Sequence, residues 1–189
     1  MDRRSFLGAG LGLVAGPALA QAPAVSGRTC YTMSFAGLDK GDIKLADFAG
    51  KPIMVVNTAS LCGFVGQYAG LQKLWERFSP MGLMIIAVPS NDFGAQEPGG
   101  AEDIHHATEG YGVRFPVAAK AKVLGPDAHP FYRWAAMERP RDLPRWNFHK
   151  YLVGRDGRIA DVFSTITDPI SPAVVRAVEK EFRSSSSAG

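Results

Sequence analysis

Two short apolar runs, residues 52–59 (Pro-Ile-Met-Val-Val-Asn-Thr-Ala) and 83–88 (Leu-Met-Ile-Ile-Ala-Val), stand on either side of one amphipathic segment. Each run has the length and composition of a strand buried on both faces. Between them Tyr68, Leu71, Trp75 and Phe78 recur at helical spacing with Leu74 beside them, and Pro80 and Gly82 end the pattern. Strand, helix and strand in this order specify a parallel pair joined by a right-handed crossover. The core of this chain is therefore an α/β sheet.

The remaining pattern extends that sheet. A short helix is predicted over residues 102–108, and residues 115–118 read as a strand that Pro116 places at an edge. Another helix is expected over 129–137. Residues 148–153 and 159–163 flank Asp156-Gly157, a strong hairpin signal. Ser171-Pro172 opens a last helix whose inward side is Val174, Val175, Val178 and Phe182. The sum is an α/β sandwich with a central mixed sheet flanked by helices, without repeats or a second domain.

The two ends fall outside this pattern. Residues 1–20 combine a charged start containing Arg3-Arg4, an apolar run and the small-residue ending Ala18-Leu19-Ala20. That is the form of a cleavable export signal, cut near Ala20, and the apolar run is too short for stable membrane insertion. Arg3-Arg4 before Ser5-Phe6-Leu7 is similar to the twin-arginine motif; an ordinary secretory signal is the alternative. Gly27-Arg28-Thr29 is the wrong context for lipid attachment at Cys30. The expected mature domain spans 21–183, followed by a flexible serine-rich tail at 184–189. The chain has 21 basic and 18 acidic residues, and cleavage removing Asp2, Arg3 and Arg4 leaves 19 against 17. So even a balance gives no footprint for nucleic acid.

Two cysteines remain, Cys30 and Cys62. In an exported chain such a pair invites a disulfide. Cys62, however, sits where the first buried strand ends and before the helix of Tyr68 begins. A helix start offers unpaired N–H groups and partial positive charge, which favour a thiolate. A buried structural thiol is the competing reading.

Context decides between them. Residues 57–64 (Asn-Thr-Ala-Ser-Leu-Cys-Gly-Phe) resemble the active-site segment of the glutathione peroxidases. Residues 90–99 (Ser-Asn-Asp-Phe-Gly-Ala-Gln-Glu-Pro-Gly) and 146–153 (Trp-Asn-Phe-His-Lys-Tyr-Leu-Val) resemble the second and third segments of that family, in its order and spacing. The resemblance implies a thioredoxin-like fold and a catalytic tetrad of Cys62, Gln96, Trp146 and Asn147. It implies a thiol-dependent peroxidase of antioxidant defence, acting on hydrogen peroxide or organic hydroperoxides through a Cys62 sulfenic acid. Its co-substrate would be glutathione or a thioredoxin-like protein, with no bound cofactor or metal.

These residue types suit that chemistry. Gln96 and Asn147 carry amide donors and Trp146 an indole donor, none of them charged. For a thiol, lowering the pKa from about 8.5 to about 6 raises the thiolate fraction about thirtyfold at pH 7. Nucleophilicity falls over the same interval by about tenfold or slightly more, so the net gain is about two- or threefold. Donors that strengthen their hold as the O–O bond breaks must supply most of the barrier reduction. Gln96 and Trp146 are the expected donors.

Other cysteine chemistries fit less well. A disulfide oxidoreductase needs Cys-x-x-Cys, but Val65 stands three residues after Cys62. A peroxiredoxin would carry Pro and Thr or Ser where Val55 and Ala59 stand. Adjacent His105 and His106 with distant cysteines make no zinc pattern and read as a solvated helix face. His129 and His149 read as structural.

Several departures from the family pattern sharpen the expectation. Ala107 holds the place of the resolving cysteine found in many thioredoxin-dependent members, so the usual internal disulfide cannot form and an external thiol must act. Cys30 is left as a resolving, inert or bridging thiol, with inert favoured. The short stretch 138–145 suggests a monomer with an open site able to admit bulky organic or lipid hydroperoxides. Val65 and Gly66 replace common Thr and Pro, and Asp92 replaces a frequent Gln. Two rival readings remain: a redox sensor or relay passing oxidation to a partner protein, and a non-catalytic thioredoxin-fold module bridged by Cys30–Cys62.

Overall fold

The computed structural model describes residues 27–39 and 41–183. The segment 1–20 and the tail 184–189 lie outside them. In chain order the elements are β1 (Ser34–Ala36), β2 (Asp42–Lys44), β3 (Ile53–Thr58), α1 (Gln67–Phe78), β4 (Met84–Pro89), α2 (Ala101–Gly110), α3 (Pro130–Glu138), β5 (Lys150–Val153), β6 (Ile159–Phe163) and α4 (Pro172–Arg183).

Four strands form a mixed sheet in the order β4-β3-β5-β6. β3 and β4 run parallel across the crossover helix α1, while β5 lies antiparallel to both β3 and β6. All six residues of β3 are buried, as a strand covered on both faces requires. Its alternation divides the core: Ile53 and Val55 join one cluster with Phe35, Phe131, Trp134 and Tyr151. Met54 and Val56 join the other with Tyr68, Leu71, Leu74, Phe148, Val174 and Val178. Thus α1 and α4 cover one face, and α3 with the β1–β2 segment covers the other. Truncating Leu71 or Leu74 to Ala in so closed a layer costs about 2–5 kcal/mol.

The structure departs from the sequence reading in three places. Residues 115–118 are not a strand: Val117 makes a single parallel bridge to Ala87 and Ala118 a single antiparallel bridge to Gly37. Pro116 has no N–H for a ladder but lends its carbonyl to the Ala87 N–H at 3.0 Å. The short β1–β2 hairpin carried no recognisable alternation. Finally, α1 begins at Gln67, so Cys62 precedes the helix of Tyr68 as read, but the turn 63–66 separates it from the helix start.

Candidate active site

The turn holding Cys62 leaves the end of β3 and is fastened to the loop of Gln96 and Glu97. The Leu61 N–H donates to the Gln96 carbonyl at 3.0 Å, and the Ser60 N–H and hydroxyl both donate to Glu97 Oε2, at 2.8 and 3.0 Å. The Glu97 carboxyl is fully buried; burial raises its pKa while the two bonds from Ser60 pull it back down. The N–H that approaches Cys62 Sγ, at 3.4 Å, is that of Phe64 within the turn. The Phe64 turn amide thus meets the Cys62 sulfur where a helix terminus was expected.

The third segment closes over this turn from β5. Asn147 is fully buried, and its Nδ2 donates to Gln96 Oε1 at 3.0 Å. Trp146 is 37% exposed and tilts against Phe93 with ring centroids 6.0 Å apart. Gly94, at φ +63°, is required there: a Cβ would stand 3.1 Å from the Trp146 indole, and the left-handed backbone adds strain for any L side chain. Gln96 and Asn147 are therefore bonded to each other and, through the Gln96 carbonyl, to the Cys62 turn, while Trp146 packs on the same loop through Phe93 and Gly94.

Several residues that organise the site escaped the sequence reading. Asn57, buried in β3, donates from Nδ2 to the Trp146 carbonyl at 3.0 Å, and its own carbonyl accepts from the Phe148 N–H at 2.6 Å. Phe148 sits at φ +62°. For a bulky residue that conformation costs of order 1–3 kcal/mol and persists only when surroundings enforce it. The available signal was an amide in an otherwise apolar strand. Asp92, whose consequence was not legible, accepts from the Val123 and Leu124 N–H groups at 2.6 and 3.0 Å and so pins the loop ahead of α3.

The two cysteines are free and belong to opposite faces of the sheet, Cys30 in one cluster and Cys62 in the other. This overturns the bridged-module alternative. Burial pushes the Cys30 thiol up to about 12, in keeping with an inert role. His129 is a structural residue, as read: it stacks on Phe35 at 4.2 Å, its Nδ1 accepts from the Phe131 N–H, and Nε2 lies 3.0 Å from the Ser34 carbonyl. His105 reaches Asp39 at 2.6 Å on the outer face. Among the described residues no group of His, Cys, Asp and Glu is placed to hold a metal.

Two cavities flank the site. One, of about 580 Å³, is lined by Trp146, His149, Arg141, Leu143, Arg145 and Ile166 among others. The second, of about 720 Å³, is bordered by Ser60, Leu61 and Val65 of the Cys62 turn and by His106, Ala107 and Tyr111. Ala107 therefore lines the groove beside the Cys62 turn.

The fold and the site define a thioredoxin-like scaffold carrying a lone cysteine at the end of its first central strand. A thiol:disulfide interchange protein of the thioredoxin family from Chlorobium tepidum superposes with a TM-score of 0.60 at 16% identity, covering 83% of this chain and 99% of that one. The apo crystal structure of Trgpx superposes at 0.66 with 30% identity, covering 82% and 97%. The family model described as glutathione peroxidase matches residues 30–136. A hydroperoxy fatty acid reductase from Synechocystis sp. is 40% identical over 157 residues, 77% of this chain and 92% of that protein. A glutathione peroxidase from Lactococcus lactis subsp. cremoris is 38% identical over 143 residues, 74% and 91% of the two. The chain belongs to the glutathione peroxidase family.

Proposed function

We propose that this thiol-dependent peroxidase reduces hydrogen peroxide and organic hydroperoxides through Cys62. The thiolate attacks the outer peroxide oxygen, the O–O bond breaks, and water or an alcohol leaves after taking up one proton. Cys62 is then a sulfenic acid, two electrons more oxidised. One external thiol condenses with it, releasing water, and a second resolves the mixed disulfide and restores the thiol. Gln96 and Trp146 donate to the departing oxygen, and Asn147 orients Gln96. The observation that carries this reading is the Asn147–Gln96 side-chain bond beside the Cys62 turn.

The finer features follow from named residues. The cavity beside Trp146 combines exposed Ile166 and Leu143 with Arg141 and Arg145, which suits a hydroperoxide with an apolar chain and an anionic end. The name of the Synechocystis relative points the same way. Ala107 leaves Cys62 without an internal partner, so glutathione or a thioredoxin-like protein supplies both electrons. The short 138–145 stretch supports a monomer. The charged, apolar and small-residue succession of residues 1–20 supports twin-arginine export, cleavage near Ala20 and periplasmic action of a mature domain spanning 21–183.

The test is to treat the reduced protein with one equivalent of hydrogen peroxide in the presence of dimedone and locate the adduct by mass spectrometry. The adduct is expected on Cys62 and absent from Cys62→Ser. Labelling of Cys30 alone, or of neither thiol, would sink the assignment.

A further inference from the structure

We propose that Lys150 is a positioning residue for the peroxidase site: its ammonium, sealed beneath the Trp146–Phe148 turn, holds Phe148 in its left-handed conformation and so aims Asn147 at Gln96. This rests on the Cys62 peroxidase reading above.

Lys150 opens β5 and is fully buried. Lysine is almost never fully buried unless its charge is partnered. Its sheet neighbours are Val56 on β3 and Phe163 on β6, so an aliphatic residue would serve the sheet at lower cost. The Nζ donates instead to the Phe148 carbonyl at 2.7 Å. The Phe148 N–H is held from the other side by the Asn57 carbonyl at 2.6 Å. The Phe148 residue is thus clamped at both its N–H and its carbonyl, which is what a bulky residue at φ +62° needs. Trp146 and Asn147 precede it directly, and both make their site contacts from that turn.

The clamp has two protonation states. The titratable groups around Lys150 are Asp168 in the loop after β6, His149 beside it in the chain, and Tyr68 on α1, whose ring stands edge-on to Phe148 at 5.3 Å. His149 is held neutral by burial, down to about 4, and burial pushes the Tyr68 hydroxyl well above its ordinary range, so it too stays neutral. Asp168 is therefore the countercharge over ordinary pH. Burial pulls the Lys150 ammonium down to about 7, against a smaller upward pull from Asp168. A neutral amine still donates, but without charge assistance the bond is roughly half as strong. Above neutrality the turn should loosen.

The test is single-turnover oxidation of Cys62 by hydrogen peroxide in the full chain, from pH 5.5 to 9, with thiolate fraction measured separately. Wild type should show a rate per thiolate that falls about three- to tenfold as pH rises through about 7, the fall expected from losing a charge-assisted bond. Lys150→Gln keeps a neutral donor; its rate should match the alkaline wild-type plateau and show no fall. Lys150→Met should be slower still and equally flat. Should Lys150→Met fail to fold, Lys150→Gln decides alone. A second readout needs no turnover: the Asn147 side-chain amide resonance, identified by its loss in Asn147→Asp, should titrate with the same midpoint in wild type and not in Lys150→Gln. Unchanged rate and pH profile in Lys150→Gln, with an Asn147 amide that does not titrate, would overturn the proposal. If wild-type Cys62 is not oxidised by peroxide at all, the peroxidase reading falls while the amide titration still decides on Lys150.

Discussion

Asn147 Nδ2 donates to Gln96 Oε1 at 3.0 Å, joining a buried residue before β5 to the loop that fastens the Cys62 turn. With its oxygen taken, Gln96 has its amide N–H groups to offer a thiolate or a peroxide oxygen. In the proposed cycle Asn147 thereby sets which end of Gln96 faces the chemistry. Replacing Asn147 with Ala should slow Cys62 oxidation about fivefold while leaving the fold intact, since one orienting bond is worth about 1 kcal/mol. Stopped-flow oxidation with hydrogen peroxide checks this; an unchanged rate would remove Asn147 from the mechanism.

The two thiols should separate cleanly. Cys30→Ala should retain peroxidase activity within about twofold and lose about 1 kcal/mol of stability for the vacated core volume. Cys62→Ser should lose turnover altogether. Steady-state peroxide consumption and urea unfolding of both variants give the comparison, and dependence of turnover on Cys30 would require a resolving role for it.

Ala107 makes its own prediction. Placing cysteine there puts a thiol on the groove shared with Ser60, Leu61 and Val65. After one equivalent of peroxide, Ala107→Cys should accumulate a disulfide between Cys62 and the introduced thiol, detected as a loss of two hydrogens by mass spectrometry. Wild type should accumulate sulfenic acid instead. A stable intramolecular disulfide in wild type would contradict the one-cysteine cycle.

Acid stability should carry the signature of His149. Burial depresses its pKa to about 4, with Lys150 adding a smaller push in the same direction. The folded state therefore disfavours the proton that the unfolded chain accepts near 6.5. Stability from this group is full above about 6.5 and is lost as pH falls toward about 4, by up to about 3 kcal/mol. Urea midpoints at pH 7 and 4.5 measure the loss. In His149→Phe the loss over that interval should shrink by most of this amount; an identical pH dependence would refute the assignment.

Much of this molecule was legible before any coordinates. The β3–α1–β4 unit followed from two apolar runs around one helical stripe, because a strand buried on both faces leaves a continuous hydrophobic signature. The hairpin of β5 and β6 followed from Asp156-Gly157, and Gly157 does take φ +77°. Residues 115–118 misled because local composition cannot reveal that Val117 and Ala118 each meet a different neighbour for one bridge only. At the site, the candidate residues came from the three segments. Their support did not: Asn57 and Lys150 act through the backbone of Trp146 and Phe148, and a side chain-to-carbonyl bond spanning 89 residues leaves no periodicity to read.

The central claim is that donors to the breaking O–O bond, Gln96 and Trp146, supply most of the rate. It is tested by the second-order rate constant for oxidation of the Cys62 thiolate by hydrogen peroxide, in wild type, Gln96→Ala and Trp146→Phe, each normalised to its measured thiolate fraction. Loss of one such donor should lower the normalised constant by about 10²–10³ in each variant. A constant within threefold of wild type in either variant would refute it.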